Sequence, residues 1–462
     1  MSAERLKAPS SPRPPLPDAF VQEMTALLGT DEATALCCAL EDEAPVSIRL
    51  NAAKTASLEG EPVGWCADGR YLESRPRFTL DPLFHSGCYY VQEASSMFIE
   101  QAVQTINLHP QRVLDLCAAP GGKSTLLRSL LPDDCLLVCN EPIKPRHHIL
   151  AENLAKWGHP NVAITHNFAH DFRPLQGFFD VILADVPCSG EGMFRKDPAS
   201  RTEWTPQSPE NCATLQHSII EDIWPCLRQG GFLIYSTCTY NRLEDEDNVK
   251  WICEALGAEL VPVSTRPEWQ IYGDATGNSL PVYHFYPHHA RGEGFFLALL
   301  KKTAETTQKD TSVKKKQNGL FQQIKDNSLK QYLTIPDNYL LGQANDGFIY
   351  ALPAFSARDM LLLRQHLHCV STGLCLFEQK GKKLVPQAEL ALSTALRTEA
   401  FPRVNLSHEE ALNYLRRNAL SLPEAPHGYV LICYENHPLG FANNLGSRAN
   451  NLYPKEWSIK NL

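Results

Sequence analysis

Between residues 113 and 300 the chain alternates short apolar runs with helix-length stretches, and this rhythm constrains the fold more than any other feature. VLDLC (113–117), LLVCNE (136–141), NVAITH (161–166), DVILADVP (180–187) and FLIYSTCT (232–239) have the length and apolar content of strands. DVILADVP is apolar enough to be buried on both faces. Helical patterns lie between them in KSTLLRSLL, KPRHHILAENLAKWG, the span from Pro209 to Gly230, and LEDEDNVKWICEAL. The last has acidic residues in its first turn, as the helix dipole favours. GEGFFLALLKK reads as a closing strand. Alternation of this kind predicts a parallel, doubly wound α/β sheet. Ligands of such a sheet sit beyond the carboxyl ends of its strands.

The flanks read differently. Residues 1–17 are polar and rich in Pro and Ser, and are expected to be a disordered lead-in. Residues 18–95 predict a small α/β extension, with Phe20 to Leu28 amphipathic and SIRLN (47–51) a strand. The sheet domain is expected over 96–302. The polar run KKTAETTQKDTSVKKKQNG reads as a linker over 303–319, and 320–462 as a C-terminal α+β domain. The net charge is −9, but residues from 301 onward carry +6 and the first 300 carry −15. Asymmetry of that kind points to a nucleic-acid-binding module on the basic side, although ordinary solvated surface produces it too. The 15 cysteines are scattered, odd in number and without paired metal-ligand spacing. A reducing cytoplasmic compartment is therefore expected, with no membrane span and no obligate protein partner.

The loop after the first strand, CAAPGGKS (117–124), has three readings. A phosphate-binding P-loop ends in Gly-Lys-Ser, but its first Gly is Cys117 here, where the turn around phosphate needs glycine. A dinucleotide site needs G-x-G-x-x-G, which is absent. S-adenosylmethionine carries no phosphate, so small residues that let backbone approach its methionine and ribose suffice. Glu141, ending the second strand, is placed to accept from the ribose diol. Taken alone it is also an ordinary surface acid.

Two cysteines stand at the same rim of the sheet. The fourth strand runs into Asp185-Val186-Pro187-Cys188 and the fifth into Thr237-Cys238-Thr239. Singly, each is an ordinary packed cysteine; together, beside a cofactor loop, they suit methylation of a pyrimidine ring carbon. Carbon 5 of cytosine is a poor nucleophile until a thiolate adds at carbon 6, and covalent catalysis divides that difficulty. Asp185 is a candidate for the amino edge or N3 of the base. Methylation of an amino group needs no thiol and usually shows an Asn/Asp-Pro-Pro-aromatic turn at this strand end. Arg195 and Lys196, in GEGMFRKDP, are candidate RNA-phosphate contacts, or a solvated charge pair. The residues do not decide which cysteine is the nucleophile.

With these stretches assembled, the chain resembles the Sun-type RNA cytosine-5 methyltransferase family, in particular its bacterial ribosomal branch. YYVQEASSMF (89–98), DLCAAPGGKS (115–124), NE (140–141), DVPCSGEGMFRKDP (185–198), W-T-P-x-S (204–208) and YSTCTYN…EDE (235–246) carry the resemblance over about 45–300. GFANNLGSRANNLYPKEW (440–457) is similar to the C-terminal, PUA-like RNA-binding extension of that branch. The resemblance implies a Rossmann-like methyltransferase domain and S-adenosylmethionine contacts at Cys117, Ala118, Ala119, Pro120, Gly121, Gly122, Lys123, Glu141 and Asp185. It implies Cys238 as nucleophile and Cys188 as the partner in product release. The expected substrate is small-subunit ribosomal RNA; transfer RNA, or a non-catalytic ribosome-assembly role on the same fold, are the alternatives. The chain departs from the family at THNFAHDF (165–172), where Phe168 stands in place of the usual adenine-binding Asp. Asn167, which both donates and accepts, is the expected replacement.

Overall fold

The computed structural model describes residues 13–55, 58–306, 321–324, 327–345 and 347–460. Helices α1 (Asp18–Leu28) and α2 (Thr30–Ala39) form an N-terminal cap. Gly29 separates them, its φ of +86° allowing the tight break. An antiparallel sheet follows, ordered β2-β3-β1-β4 from β1 (Val46–Leu50), β2 (Glu61–Pro62), β3 (Gly69–Leu72) and β4 (Tyr89–Val91). Short helices α3 (Pro82–His85) and α4 (Ile99–Thr105) lead into the main sheet.

That sheet contains β5 (Arg112–Asp115), β6 (Leu136–Asn140), β7 (Val162–Thr165), β8 (Phe179–Asp185), β9 (Leu227–Thr237), β10 (Ala258–Leu260), β11 (Val282–Phe285) and β12 (Phe295–Lys302). The order is β10-β12-β9-β8-β5-β6-β7, with β11 also on β12. Strands β5 to β9 are mutually parallel. Helices α5 (Gly122–Leu130), α6 (Lys144–Trp157), α7 (Pro198–Glu203), α8 (Ser208–Ile223) and α9 (Glu246–Leu256) fill the crossovers. Val181 and Leu183 of β8 enter one apolar core and Ile182 and Ala184 the other, as a strand buried on both faces requires. Chain order reverses between β5 and β8, which opens a crevice at their carboxyl ends.

Several expectations need correction. The helix read over 209–230 stops at Ile223, and β9 has begun by Leu227. Pro225 removes a helical N–H, and a tight turn replaces the last helical turns. The closing strand β12 is antiparallel to β9. Residues 1–12 of the lead-in lie outside the described residues, but 13–17 are held in place: Arg201 donates to Pro14 O at 2.8 Å and Leu16 packs on the cap core.

The C-terminal part is more tightly joined than a tethered domain. Strands β13 (Phe321–Gln323), β14 (Tyr339–Ala344) and β15 (Phe348–Pro353) begin a second sheet. After α10 (Ala357–His366), β16 (Cys369–Thr372) leaves that sheet and pairs antiparallel with β7, becoming the ninth strand of the main sheet. β17 (Leu374–Lys380) and β18 (Lys383–Pro386) complete the second sheet, and Met360, Leu363 and Leu352 share a core with Leu136 and Val138. Past α11 (Ala388–Leu392) comes a last sheet of β19 (Arg403–Asn405), β20 (Gly428–Tyr434), β21 (His437–Asn444) and β22 (Ala449–Asn451), with α12 (His408–Leu415) on it. The expected linker lies largely outside the described residues, since 307–320 are not among them. Among the described residues no helix is long and apolar enough to cross a membrane.

Candidate active site

Parallel pairing of β8 with β9 sets Asp185 opposite Ser236, so the chain leaves both strands at the same rim. Cys188 and Cys238 meet there with their Sγ atoms 3.0 Å apart, and the Cys238 N–H points at Cys188 Sγ at 3.3 Å. The Cys188 thiol is pushed well above its ordinary range, first by its hydrogen bond with Cys238 and then by burial. Either sulfur can be the donor across this contact.

Asp185 is held from two sides. Lys123 Nζ lies 2.8 Å from Oδ2, and Ser236 Oγ donates to Oδ1 at 2.8 Å. Burial pulls the Lys123 ammonium down, but the Asp185 charge and hydrogen bond outweigh it and leave Lys123 above its usual value. Each carboxylate oxygen of Asp185 retains acceptor capacity.

The loop between β5 and α5 is shaped from beneath. Ala118 N–H donates to Asn140 O, Arg146 to Ala119 O and Asn153 to Pro120 O, at 2.7–2.9 Å. Gly121 takes φ +114° at the helix entrance, where a side chain is strained. Arg49 of the N-terminal sheet bonds Thr125 Oγ1 at 2.6 Å, so the extension supports this loop as well. Glu141, buried at the end of β6, accepts from Ile143 N–H with Oε1. Its Oε2 has no hydrogen bond among the described residues, and Arg146 Nη1 lies 3.5 Å from it. A buried carboxylate oxygen left this way fits a donor supplied by a bound hydroxyl.

Behind the cysteines lies a buried polar network that sequence reasoning missed. Glu191 accepts from Thr239 Oγ1 (2.6 Å), Tyr240 N–H (2.9 Å) and Asn241 Nδ2 (3.1 Å). Glu244 accepts from Ser189 N–H (3.0 Å), Asn241 Nδ2 (2.8 Å) and Gln216 Nε2 (2.7 Å). Burial pushes both acids above the usual carboxylate range. Glu244 and Asp245 thus precede α9 and bind the two cysteine-bearing turns together, while Glu246 and Asp247 are the acidic residues expected in its first turn. The only sequence signal was the density of polar residues in STCTYNRLEDE. Gly192 closes the same region, since a Cβ there would lie 2.8 Å from both Cys238 O and Gly294 O.

Two expected site residues have partners elsewhere. Arg195 is buried, paired with Glu293 at 3.1 Å and bonded to Gly292 O. It braces the loop and presents no charge to RNA phosphate; the neighbouring Lys196 is exposed. Asn167 spends both ends of its amide on His368, donating to its O and accepting from its N–H, each at 3.1 Å. One N–H and one lone pair of that amide are left over for the adenine contact expected of it. Phe168 is exposed and stacks on His170 at 5.7 Å.

Comparison with known proteins gives concordant matches. A family model described as 16S rRNA methyltransferase RsmB/F matches residues 103–301. The N-terminal domain of 16S rRNA methyltransferase RsmF matches 16–94, and the RsmF PUA domain matches 401–459. Ribosomal RNA small subunit methyltransferase F of Escherichia coli O157:H7 is 31% identical over 95% of this chain and 96% of its own. The protein of that name from Salmonella arizonae matches at the same identity and coverage. Among solved structures, NSun6 from Pyrococcus horikoshii with SFG superposes at a TM-score of 0.55 with 21% identity, covering 63% of this chain and 99% of that one. A methyltransferase homolog protein from Pyrococcus horikoshii reaches a TM-score of 0.53 at 28% identity, covering 62% and 94%.

Proposed function

The chain belongs to the RsmB/F family of 16S rRNA methyltransferases, and from that premise we propose that it methylates carbon 5 of a cytidine in small-subunit ribosomal RNA through a covalent Cys238–cytosine adduct. The 3.0 Å approach of Cys188 and Cys238 beside the Lys123–Asp185 pair carries this reading. S-adenosylmethionine, when bound, supplies an electrophilic methyl group on a sulfonium. Glu141 Oε2 would accept from its ribose, and the loop from Cys117 to Lys123 would lie against its methionine part.

The residues of the chain divide the work. The target cytidine must be unpaired or turned out of its helix to reach the rim. Asp185, held in place by Lys123 and Ser236, accepts from the amino group of the base. The Cys238 thiolate adds at carbon 6, which makes carbon 5 nucleophilic toward the methyl group. A base then removes the carbon 5 proton, the 5,6 double bond re-forms, and Cys238 leaves with its electron pair. Cys188 keeps its proton and donates to the departing sulfur. Residues 401–459 are proposed to bind RNA away from the chemistry.

Transfer of tritiated methyl from labelled cofactor to 16S rRNA tests the proposal. Cys238→Ala should abolish it, and Cys188→Ala should accumulate a denaturation-resistant protein–RNA adduct. Undiminished transfer by Cys238→Ala overturns the covalent mechanism.

A further inference from the structure

On the side of the molecule where the N-terminal cap meets the turn after β11, three metal-ligating side chains converge from positions 256 and 257 residues apart. Glu32, in the first turn of α2, presents Oε2 to His288 Nε2 at 2.9 Å and to His289 Nε2 at 2.7 Å. The ligand atoms of all three lie within 4.8 Å of one another. We infer that Glu32, His288 and His289 form a binding site for a borderline divalent transition ion of the zinc or cobalt type, which fastens the cap to the catalytic domain.

The donor set selects the ion. Two imidazole nitrogens and one carboxylate oxygen suit zinc or cobalt, whereas calcium and magnesium prefer all-oxygen surroundings. Bonds of about 2.0–2.1 Å in a tetrahedral site set neighbouring ligand atoms about 3.3 Å apart. The N···O separations here, 2.9 and 2.7 Å, are shorter than that by about 0.4 and 0.6 Å. The rings are already oriented: His288 lies 4.3 Å from His289 and 5.7 Å from Tyr286, and His289 stacks on Tyr272 at 5.8 Å. Glu32 is 43% exposed, which leaves an entry path and a position for water.

The location gives the ion a structural task. Tyr286, two residues before His288, stacks on Tyr240 at 5.6 Å, and Tyr240 follows Cys238 by two residues. Phe20, Met24 and Leu36 of the cap pack into the same cluster. An ion joining α2 to His288 and His289 would therefore stiffen the floor under the cysteine turns without touching substrate.

Cobalt titration of the full-length chain, stripped with EDTA, tests this independently of methyl transfer. One equivalent of Co2+ should produce d–d absorption bands without the thiolate-to-cobalt band that the cysteine pair would give, and Zn2+ should displace it. Glu32→Gln and His289→Asn, both at partly exposed positions, should each weaken Co2+ binding more than about tenfold. Their circular dichroism in EDTA should match the parent chain, showing that the fold is kept. Absence of the bands, bands of thiolate character, or unchanged affinity in the two variants would each overturn the assignment.

Discussion

Asn167 and His368 exchange two hydrogen bonds of 3.1 Å, one in each direction, across the edge where β16 joins β7. The loop that follows β7, at the carboxyl end of the sheet, is thereby fixed by a residue 201 positions later. Asn167→Ala leaves the His368 N–H and C=O without these partners, a loss of about 1–3 kcal/mol. The expected result is a lower midpoint in urea unfolding together with weaker S-adenosylmethionine binding by calorimetry. An unchanged midpoint would show that the pair adds nothing to the joint.

Arg195 and Lys196 are neighbours with opposite expected phenotypes. Arg195→Ala strands Glu293 in a buried site and should cost about 3–5 kcal/mol, with RNA affinity per folded molecule preserved. Lys196→Ala should leave stability within about 0.5 kcal/mol. If it contacts phosphate, the slope of log affinity against log salt falls by about one. Filter binding at several salt concentrations separates the two.

Gly192 admits no side chain. The Cβ of Gly192→Ala would press on Cys238 O and Gly294 O, both backbone atoms at 2.8 Å, and so would shift the turn carrying Cys238. Displacing a reacting group by about 1 Å costs on the order of 100-fold in rate. Single-turnover methyl transfer should fall by that order while cofactor affinity holds. A variant with the parental rate would show that the turn yields elsewhere.

Asp115 gives the stability a pH dependence. Burial raises its carboxyl from 3.8 to about 7, against the opposing hydrogen bond from Ser124. Because the folded pKa lies above the unfolded one, the contribution of Asp115 is fully present below pH 4 and is lost as pH rises through about 7. Asp115→Asn removes this group's titration. Between pH 5 and 8 its unfolding free energy should fall less steeply than that of the parent chain, as urea melts at the two pH values would show. Parallel slopes in the two proteins would rule Asp115 out as the source.

Local pattern determined much of this protein. The five parallel strands, the glycine-rich turn, and the arrival of Cys188 and Cys238 at one rim follow from the period of apolar residues, because each strand must bury its side chains between covering helices. The placement of two thiols beside a small-residue loop was legible for the same reason. Contacts between distant segments were not, because nothing in the local pattern around Arg195 names Glu293, or around Asn167 names His368. A basic residue in a polar loop looks solvated until a carboxylate 98 residues away is folded against it. Glu244 and Asp245 read as part of an acidic helix start, and only the packing of α8 and β9 around them made them a buried clamp on both cysteine turns. Strand β16 looked like part of a separate domain until the unpaired edge of β7 needed a partner. Sequence determined which groups reach the rim; tertiary structure decided which remain free to act there, because burial and long-range hydrogen bonds depend on neighbours that no local pattern records.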